Sequence, residues 1–179
     1  QQADFDLQLD ALVIPGGEST TMGHLAQRLG MLDPLRAFVA SGKPVMGTCA
    51  GLIFIADDVS GQKDGGQQLV GGMDITVCRN FYGSQVDSFE TKLAPSFVKK
   101  GVTVPAVFIR APGITRTGPS VEVLATCQMP GAGADAESVP VAVKQGALLA
   151  MAFHPELTSD GCWHEHFAAM VKKAAKKAS

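Results

Sequence analysis

A cysteine stands between two glycines in KPVMGTCAGLIFIA, residues 43–56, where one apolar segment ends and another begins. The GTCAG segment fits the pattern G-x-C-x-G, a nucleophile elbow with Cys49 in the usual place of serine. Such an elbow is a tight strand-to-helix turn, and small residues at Gly47 and Gly51 let the chain pass close by. The N-terminus of the following helix is expected to favour the thiolate of Cys49, and the Ala50 amide can donate to an oxyanion. A buried structural cysteine is an equal alternative on the elbow alone.

A histidine and a glutamate two residues apart follow an apolar segment in AFHPEL. Pro155 favours an extended backbone at His154, so alternation directs the side chains of His154 and Glu156 the same way. Glu156 can then accept a hydrogen bond from one imidazole nitrogen and leave the other facing a nucleophile. A lone histidine near a strand end is more often structural. Together with the cysteine elbow, however, His-x-Glu predicts a Cys–His–Glu triad.

A second glycine-rich segment, PGGEST, spans residues 15–20. It lacks the GKS or GKT of a Walker loop, which excludes that class of phosphate-binding loop. Gly16 and Gly17 can present unobstructed backbone N–H groups beside the elbow. Glu18 offers a carboxylate that can hold a substrate ammonium, and the Ser/Thr cluster after it is expected to cap a helix.

The elements that must position these residues follow from the apolar patterns. Strands are predicted for ALVIPGG and KPVMGTC, and helices for STTMGHLAQRLGML, DPLRAFVAS and AGLIFIADDV. Further strand-like runs are DITVCR, AVFIRA, VEVLAT, VPVAVKQ and ALLAMAFH, with a hairpin at Gln145-Gly146. The final helix, CWHEHFAAMVKKAAKK, is expected to pack Phe167, Met170 and Val171 on one side.

This order of elements predicts one α/β domain over residues 1–179, in three layers, with a mainly parallel mixed sheet flanked by helices. Such a domain normally opens with an apolar strand, yet this chain opens with the polar QQADFDLQLD. We therefore expect the first βα unit to be missing.

Composition excludes several classes of function. The 179 residues carry a net charge of -2 and no dominant basic face, so no nucleic-acid partner is expected. No apolar run is long enough to span a bilayer, and no signal peptide is visible. The four cysteines are widely spaced and form no CxxC pair, so we expect no metal site, reduced thiols and a cytoplasmic location.

Five motifs in one order resemble the glutaminase subunits of pyridoxal 5′-phosphate synthase, which are class I (triad) glutamine amidotransferases with a flavodoxin-like fold. The motifs, spread between Leu12 and about Thr158, are PGGESTTM, GTCAGLI, RNFYGSQVDSFE, FIRAP and FHPEL. GTCAG and HPE are shared by many triad amidotransferases, while PGGESTT, RNFYGSQ and FIRAP point to the vitamin B6 branch. The family's opening L-x-L-Q-G motif has no match here, and Ser84 stands where bacterial members often have Arg.

The resemblance implies roles for individual residues. Cys49 would be the nucleophile, and His154 with Glu156 would complete the triad. Gly17 and Ala50 would form the oxyanion hole. The contacts with L-glutamine would come from Gly17, Glu18, Ser19, Arg79, Ile109 and Arg110. No metal or cofactor is implied. Ammonia would pass through a tunnel to a partner, a (β/α)8-barrel synthase subunit, whose product is pyridoxal 5′-phosphate.

Two other functions stay open at this point. The first is a triad enzyme of another pathway with a different substrate, against which Glu18 and Arg79 argue because free glutamine carries both an amine and a carboxylate. The second is a partner-binding subunit with weak or no turnover.

Overall fold

The computed structural model describes residues 9–61, 66–79, 81, 88–128 and 137–178. Most of the polar opening segment, part of the glycine-rich SGQKDGGQQ segment and Ser84 lie outside the described residues. The strands are β1 (Leu12–Ile14), β2 (Val45–Thr48), β3 (Ala56–Ser60), β4 (Met73–Cys78), β5 (Ser88–Leu93), β6 (Val104–Ile109), β7 (Gly113–Thr117), β8 (Glu122–Cys127), β9 (Val139–Gln145) and β10 (Leu148–Met151). The helices are α1 (Ser19–Arg28), α2 (Leu32–Ala40), α3 (Ala50–Ile55) and α4 (Cys162–Ala178), with a short 3-10 helix at Pro155–Leu157.

A five-stranded sheet in the order β1-β2-β10-β9-β8 positions the functional residues. β1 and β10 both pair with β2 in parallel, while β9 is antiparallel to β10 and to β8. The hairpin expected at Gln145-Gly146 is therefore confirmed. Because β1, β2 and β10 run the same way, the segments that follow them emerge at one edge of the sheet. Those three segments carry PGGEST, the cysteine elbow and His-x-Glu.

Alternating side chains along this sheet pack into two separate hydrophobic clusters, one on each face. Along β10, Leu148 and Ala150 belong to one buried cluster, whereas Leu149 and Met151 belong to the other. The first cluster includes residues of α1, α2, α3, β3, β4 and β7, and the second includes residues of α4, β5 and β6. Both faces of the sheet are thus covered, which confirms the three-layer α/β class with a mixed sheet. α4 packs Phe167, with Met170 and Val171, against the second cluster as expected.

The segment AGLIFIADDV differs from its predicted helix. α3 ends at Ile55, and the next five residues form β3, which pairs in parallel with β4. Every residue of α3 is buried, so a longer helix would also bury the two aspartates that follow. In the strand both carboxylates have donors, because Asp57 accepts from the Gly72 N–H and Asp58 from the Thr76 hydroxyl.

Two further strands, β5 and β7, lack the apolar pattern that sequence reasoning requires. β5 has the sequence SFETKL, and its side chains are mostly exposed or half-buried. It is held antiparallel to β6, where Phe89 stacks on Phe108 with ring centroids 4.5 Å apart.

None of the described helices combines the length and apolar character needed to cross a bilayer.

Candidate active site

A cavity of about 540 Å³ opens at the edge of the sheet where β1 and β2 end. Nearly all residues predicted to form the site line it: Gly17, Glu18, Ser19, Cys49, Ala50, Arg79, Ile109, Arg110 and His154. Glu156, the remaining predicted residue, hydrogen-bonds to His154 at the cavity wall. Residues from five separate segments of the chain are therefore brought together.

The elbow at Cys49 has the strained backbone that its sequence pattern predicts. Cys49 has φ 50° and ψ −105°, a conformation that costs a non-glycine residue about 1–3 kcal/mol. Its N–H donates to the Met151 carbonyl at 2.8 Å, and its own carbonyl accepts from the Ile53 N–H at 3.3 Å. The adjacent strand and the first turn of α3 thus hold Cys49 at the turn.

The two glycines of the elbow are required by close packing. A Cβ on Gly51 would collide with the carbonyl oxygen of Ile14 in β1. A Cβ on Gly47 would lie 2.7 Å from the carbonyl carbon of Gly51. Both obstacles are backbone atoms, which cannot rotate away as a side chain can.

Gly51→Ala is expected to destabilise the fold by about 1–3 kcal/mol, the usual cost of forcing extra atoms into a packed interior. The midpoint of urea unfolding, followed by circular dichroism, measures the loss. Gly161→Ala is the matched control, because its Cβ would meet only the Glu165 side chain at ordinary contact distance, 3.5 Å. An unfolding midpoint for Gly51→Ala equal to that of Gly161→Ala would contradict the close contact.

His154 and Glu156 form a hydrogen-bonded pair, with 2.7 Å between His154 Nδ1 and Glu156 Oε1. β10 ends at Met151, earlier than the predicted strand ALLAMAFH. The two side chains meet because Pro155 begins a 3-10 helix that turns Glu156 back toward the ring. The His154 N–H donates to the Val107 carbonyl at 2.8 Å, which ties this segment to β6.

Gly16 lies where the cysteine and the histidine approach each other, a role that sequence reasoning missed. A Cβ on Gly16 would lie 2.5 Å from Cε1 of His154 and 3.4 Å from Cβ of Cys49. Any larger residue at this position would therefore push the His154 imidazole away from its place near Cys49. The signal available in the sequence was the first glycine of PGG, interpreted only as a source of a free N–H.

The pKa of the Cys49 thiol is raised, in the first place by burial, since the residue is only 7% exposed. Hydrogen bonds from the N–H groups of Ala50 and Gly17 and the charge of Arg110 lower the pKa, while the charge of Glu156 raises it. The Ala50 N–H at the start of α3 lowers the pKa, in the direction expected of the helix N-terminus, but desolvation of the buried sulfur outweighs it. The resting sulfur is a thiol and needs a proton acceptor.

Glu18 caps α1, in place of the expected Ser/Thr cluster. Its Oε2 accepts from the Thr21 N–H at 2.7 Å and the Thr21 hydroxyl at 2.8 Å. Its Oε1 accepts from the Thr20 N–H at 3.1 Å and from the Arg79 guanidinium at 2.8 Å. The hydroxyl and then the N–H of Thr21 contribute most to lowering the Glu18 pKa to about 2, so the carboxylate is ionised at neutral pH.

The remaining predicted residues differ in what they present to the cavity. Arg110 follows β6 with φ 42°, a left-handed conformation that is unusual for a non-glycine residue. Ile109 is 39% exposed and lies on the apolar rim with Leu157, which was not predicted. Ser19 is 2% exposed, and its hydroxyl donates to Gln67 Oε1 at 3.1 Å. That hydroxyl is therefore already engaged.

Comparison with known proteins agrees with this geometry. The model of the SNO glutamine amidotransferase family matches residues 2–173. The chain belongs to this family.

Over the matched regions, curated relatives are about half identical to this chain. A probable pyridoxal 5′-phosphate synthase subunit, PDX2, of Arabidopsis thaliana is 49% identical over 198 residues, which cover 100% of this chain and 78% of the relative. A pyridoxal 5′-phosphate synthase subunit, PdxT, of Parafrankia sp. is 52% identical over 92% of this chain and 76% of its own. A solved glutamine amidotransferase superposes with a TM-score of 0.79 and 40% identity, covering 93% of this chain and 81% of that one. The resemblance inferred from the motifs and the fold class are both confirmed.

Proposed function

We propose that this chain hydrolyses L-glutamine to glutamate and ammonia through a thioester on Cys49, and that the ammonia serves pyridoxal 5′-phosphate synthesis. The observation that carries the proposal is the His154–Glu156 pair beside the Cys49 elbow, in a chain of the SNO glutamine amidotransferase family. In this proposal residues 1–179 act as a single amidotransferase domain.

Charged groups around the cavity suit a free amino acid. The Glu18 carboxylate is matched to the α-ammonium of glutamine, and the guanidinium groups of Arg79 and Arg110 are matched to its α-carboxylate. Ile109 on the rim contacts the aliphatic part of the substrate. The side-chain amide then reaches Cys49, since the cavity extends from Glu18 to the elbow.

The first chemical step forms the thioester. Cys49 Sγ attacks the amide carbon while its proton passes to His154, which is needed because burial keeps the resting sulfur protonated. The N–H groups of Gly17 and Ala50, which already hydrogen-bond to the sulfur, stabilise the developing oxyanion. When the carbon–nitrogen bond breaks, His154 returns the proton to the departing ammonia.

The second step releases glutamate. His154 takes a proton from water, whose oxygen attacks the thioester carbon, and the same proton then returns to the sulfur of Cys49. Glu156 holds the Nδ1 side of the ring, so the other imidazole nitrogen stays directed at the reacting groups. The residues of the cavity complete this cycle without a metal or cofactor.

The proposed partner is a (β/α)8-barrel synthase subunit that receives the ammonia through a tunnel. Support comes from the curated relatives, which are named as subunits of pyridoxal 5′-phosphate synthase. The proposed compartment is the cytoplasm, in keeping with four cysteines that are all free thiols.

Glutaminase activity is expected to rise when the synthase subunit binds. The oxyanion donor Gly17 has φ 155°, and a glycine can turn its peptide at little steric cost, so docking can shift the loop between two states. Steady-state kinetics with increasing synthase subunit should show kcat rising tenfold or more, which corresponds to about 1.4 kcal/mol.

The same titration separates the alternatives. Full activity in the isolated chain, unchanged by the synthase subunit, would contradict the loop mechanism while leaving the glutaminase proposal intact. Absence of ammonia release both with and without the synthase subunit would overturn the proposed function and favour a purely partner-binding role.

A further inference from the structure

The carboxylate of Glu18 is saturated with donors before any ligand arrives. Within the part of the chain that the structure describes, four groups donate to its two oxygens: the N–H of Thr20, the N–H and hydroxyl of Thr21, and the guanidinium of Arg79. A carboxylate has about four lone-pair positions, so a substrate ammonium must replace one of these donors.

The four donors differ in what holds them. Three belong to the first turn of α1 and move with it, whereas Arg79 follows β4 and crosses to Glu18 through a single 2.8 Å contact. The Arg79 side chain is also partly exposed at the cavity. Arg79 is therefore the donor that a ligand can displace, and the α1 donors keep the carboxylate in place when this happens.

We propose that Thr21 is a positioning residue: its hydroxyl fixes the Glu18 carboxylate for recognition of the substrate α-ammonium and so selects amides that carry an α-amino group. This inference rests on the proposed function and concerns the same site. Within α1, the Thr21 hydroxyl is the donor that a substitution can remove while the helix backbone and the Glu18 charge both remain.

Two neighbouring observations support the assignment. The Thr21 hydroxyl is the largest cause of the lowered pKa of Glu18, which marks it as a strong donor to the charged form. The adjacent Thr20 directs its hydroxyl to Gln67 Oε1 at 3.3 Å, and its side chain affects the Glu18 pKa least. Thr20→Val thus removes a hydroxyl from the same helical turn with little effect on Glu18.

The test compares L-glutamine with glutaramate, which is glutamine without its α-amino group. Calorimetry on a Cys49→Ala background gives Kd for both compounds, and kinetics of the enzyme with its synthase subunit gives KM and kcat for glutamine. For Thr21→Val we expect Kd and KM for glutamine to rise roughly tenfold, about 1.4 kcal/mol, with kcat within about twofold. Kd for glutaramate should stay unchanged, and Thr21→Ser and Thr20→Val should remain within about twofold of the parent.

Two results would overturn the inference. Equal weakening of glutamine and glutaramate by Thr21→Val would show that Thr21 only supports the fold of α1. Unchanged affinity of Thr21→Val for glutamine would show that the Thr21 hydroxyl is not required to position the Glu18 carboxylate. A parent enzyme that bound glutamine without hydrolysing it would contradict the proposed function, and the calorimetric comparison would still decide the role of Thr21.

Discussion

Cys49→Ala is expected to abolish glutamine hydrolysis while the chain stays folded. The variant removes the sulfur that forms the thioester in the proposed mechanism, and loss of a nucleophile costs on the order of 10⁵–10⁶ in kcat. The backbone is little affected, because alanine also fits a small buried site and the elbow is held by the Cys49 N–H and carbonyl. Ammonia release in the presence of the synthase subunit measures activity, and thermal unfolding by circular dichroism confirms the fold.

The matched control is Cys127→Ala, which removes another buried thiol, one that lies in the core cluster packed against α4. It should retain glutaminase activity. A glutamine analogue that alkylates thiols should modify Cys49 and spare Cys78, Cys127 and Cys162, as peptide mass mapping will show. Modification mainly at one of the other three cysteines would refute the assignment of the nucleophile.

His154→Ala is expected to lower kcat by more than Glu156→Gln does. Because burial raises the pKa of Cys49, attack requires a base, and His154 borders the same cavity. Glu156 acts only through the imidazole that it orients, so we expect a loss on the order of 10²–10⁴ for Glu156→Gln and a larger one for His154→Ala. Single-turnover kinetics with glutamine measures both losses.

His24→Ala is the control for the loss of an imidazole, since His24 lies on the exposed side of α1. Its kcat should equal that of the parent enzyme. If Glu156→Gln left kcat intact, the group that orients His154 would have to be a different one.

The residues that line the candidate site could be predicted because they belong to short local motifs. The GTCAG pattern requires Gly47 and Gly51 for steric reasons, and the structure shows the backbone contacts that enforce them. His-x-Glu in AFHPEL likewise identifies a pair whose geometry a proline and a tight turn then complete. The order of the apolar segments was enough to predict the α/β class, since buried parallel strands have a distinctive composition.

What escaped prediction depends on contacts between distant segments. The pKa of Cys49 follows from burial among residues that meet only in the folded chain. β5 is polar in sequence and exists because β6 offers it a hydrogen-bonding edge. Glu18 caps α1 in place of the usual serine or threonine, and its link to Arg79 joins segments far apart in the sequence. Patterns within a short stretch of sequence cannot predict contacts of this kind between distant segments.

The bond from the Cys49 N–H to the Met151 carbonyl has a consequence for the newly made chain. β2 leaves the ribosome well before β10, so the elbow lacks its hydrogen bond to Met151 until β10 has been synthesised. His154, the proposed base, is synthesised in that same late segment. In the proposed mechanism, a chain released before β10 therefore has a Cys49 turn without its supporting hydrogen bond and without its base, and it becomes able to cleave glutamine only when β10 has joined the sheet.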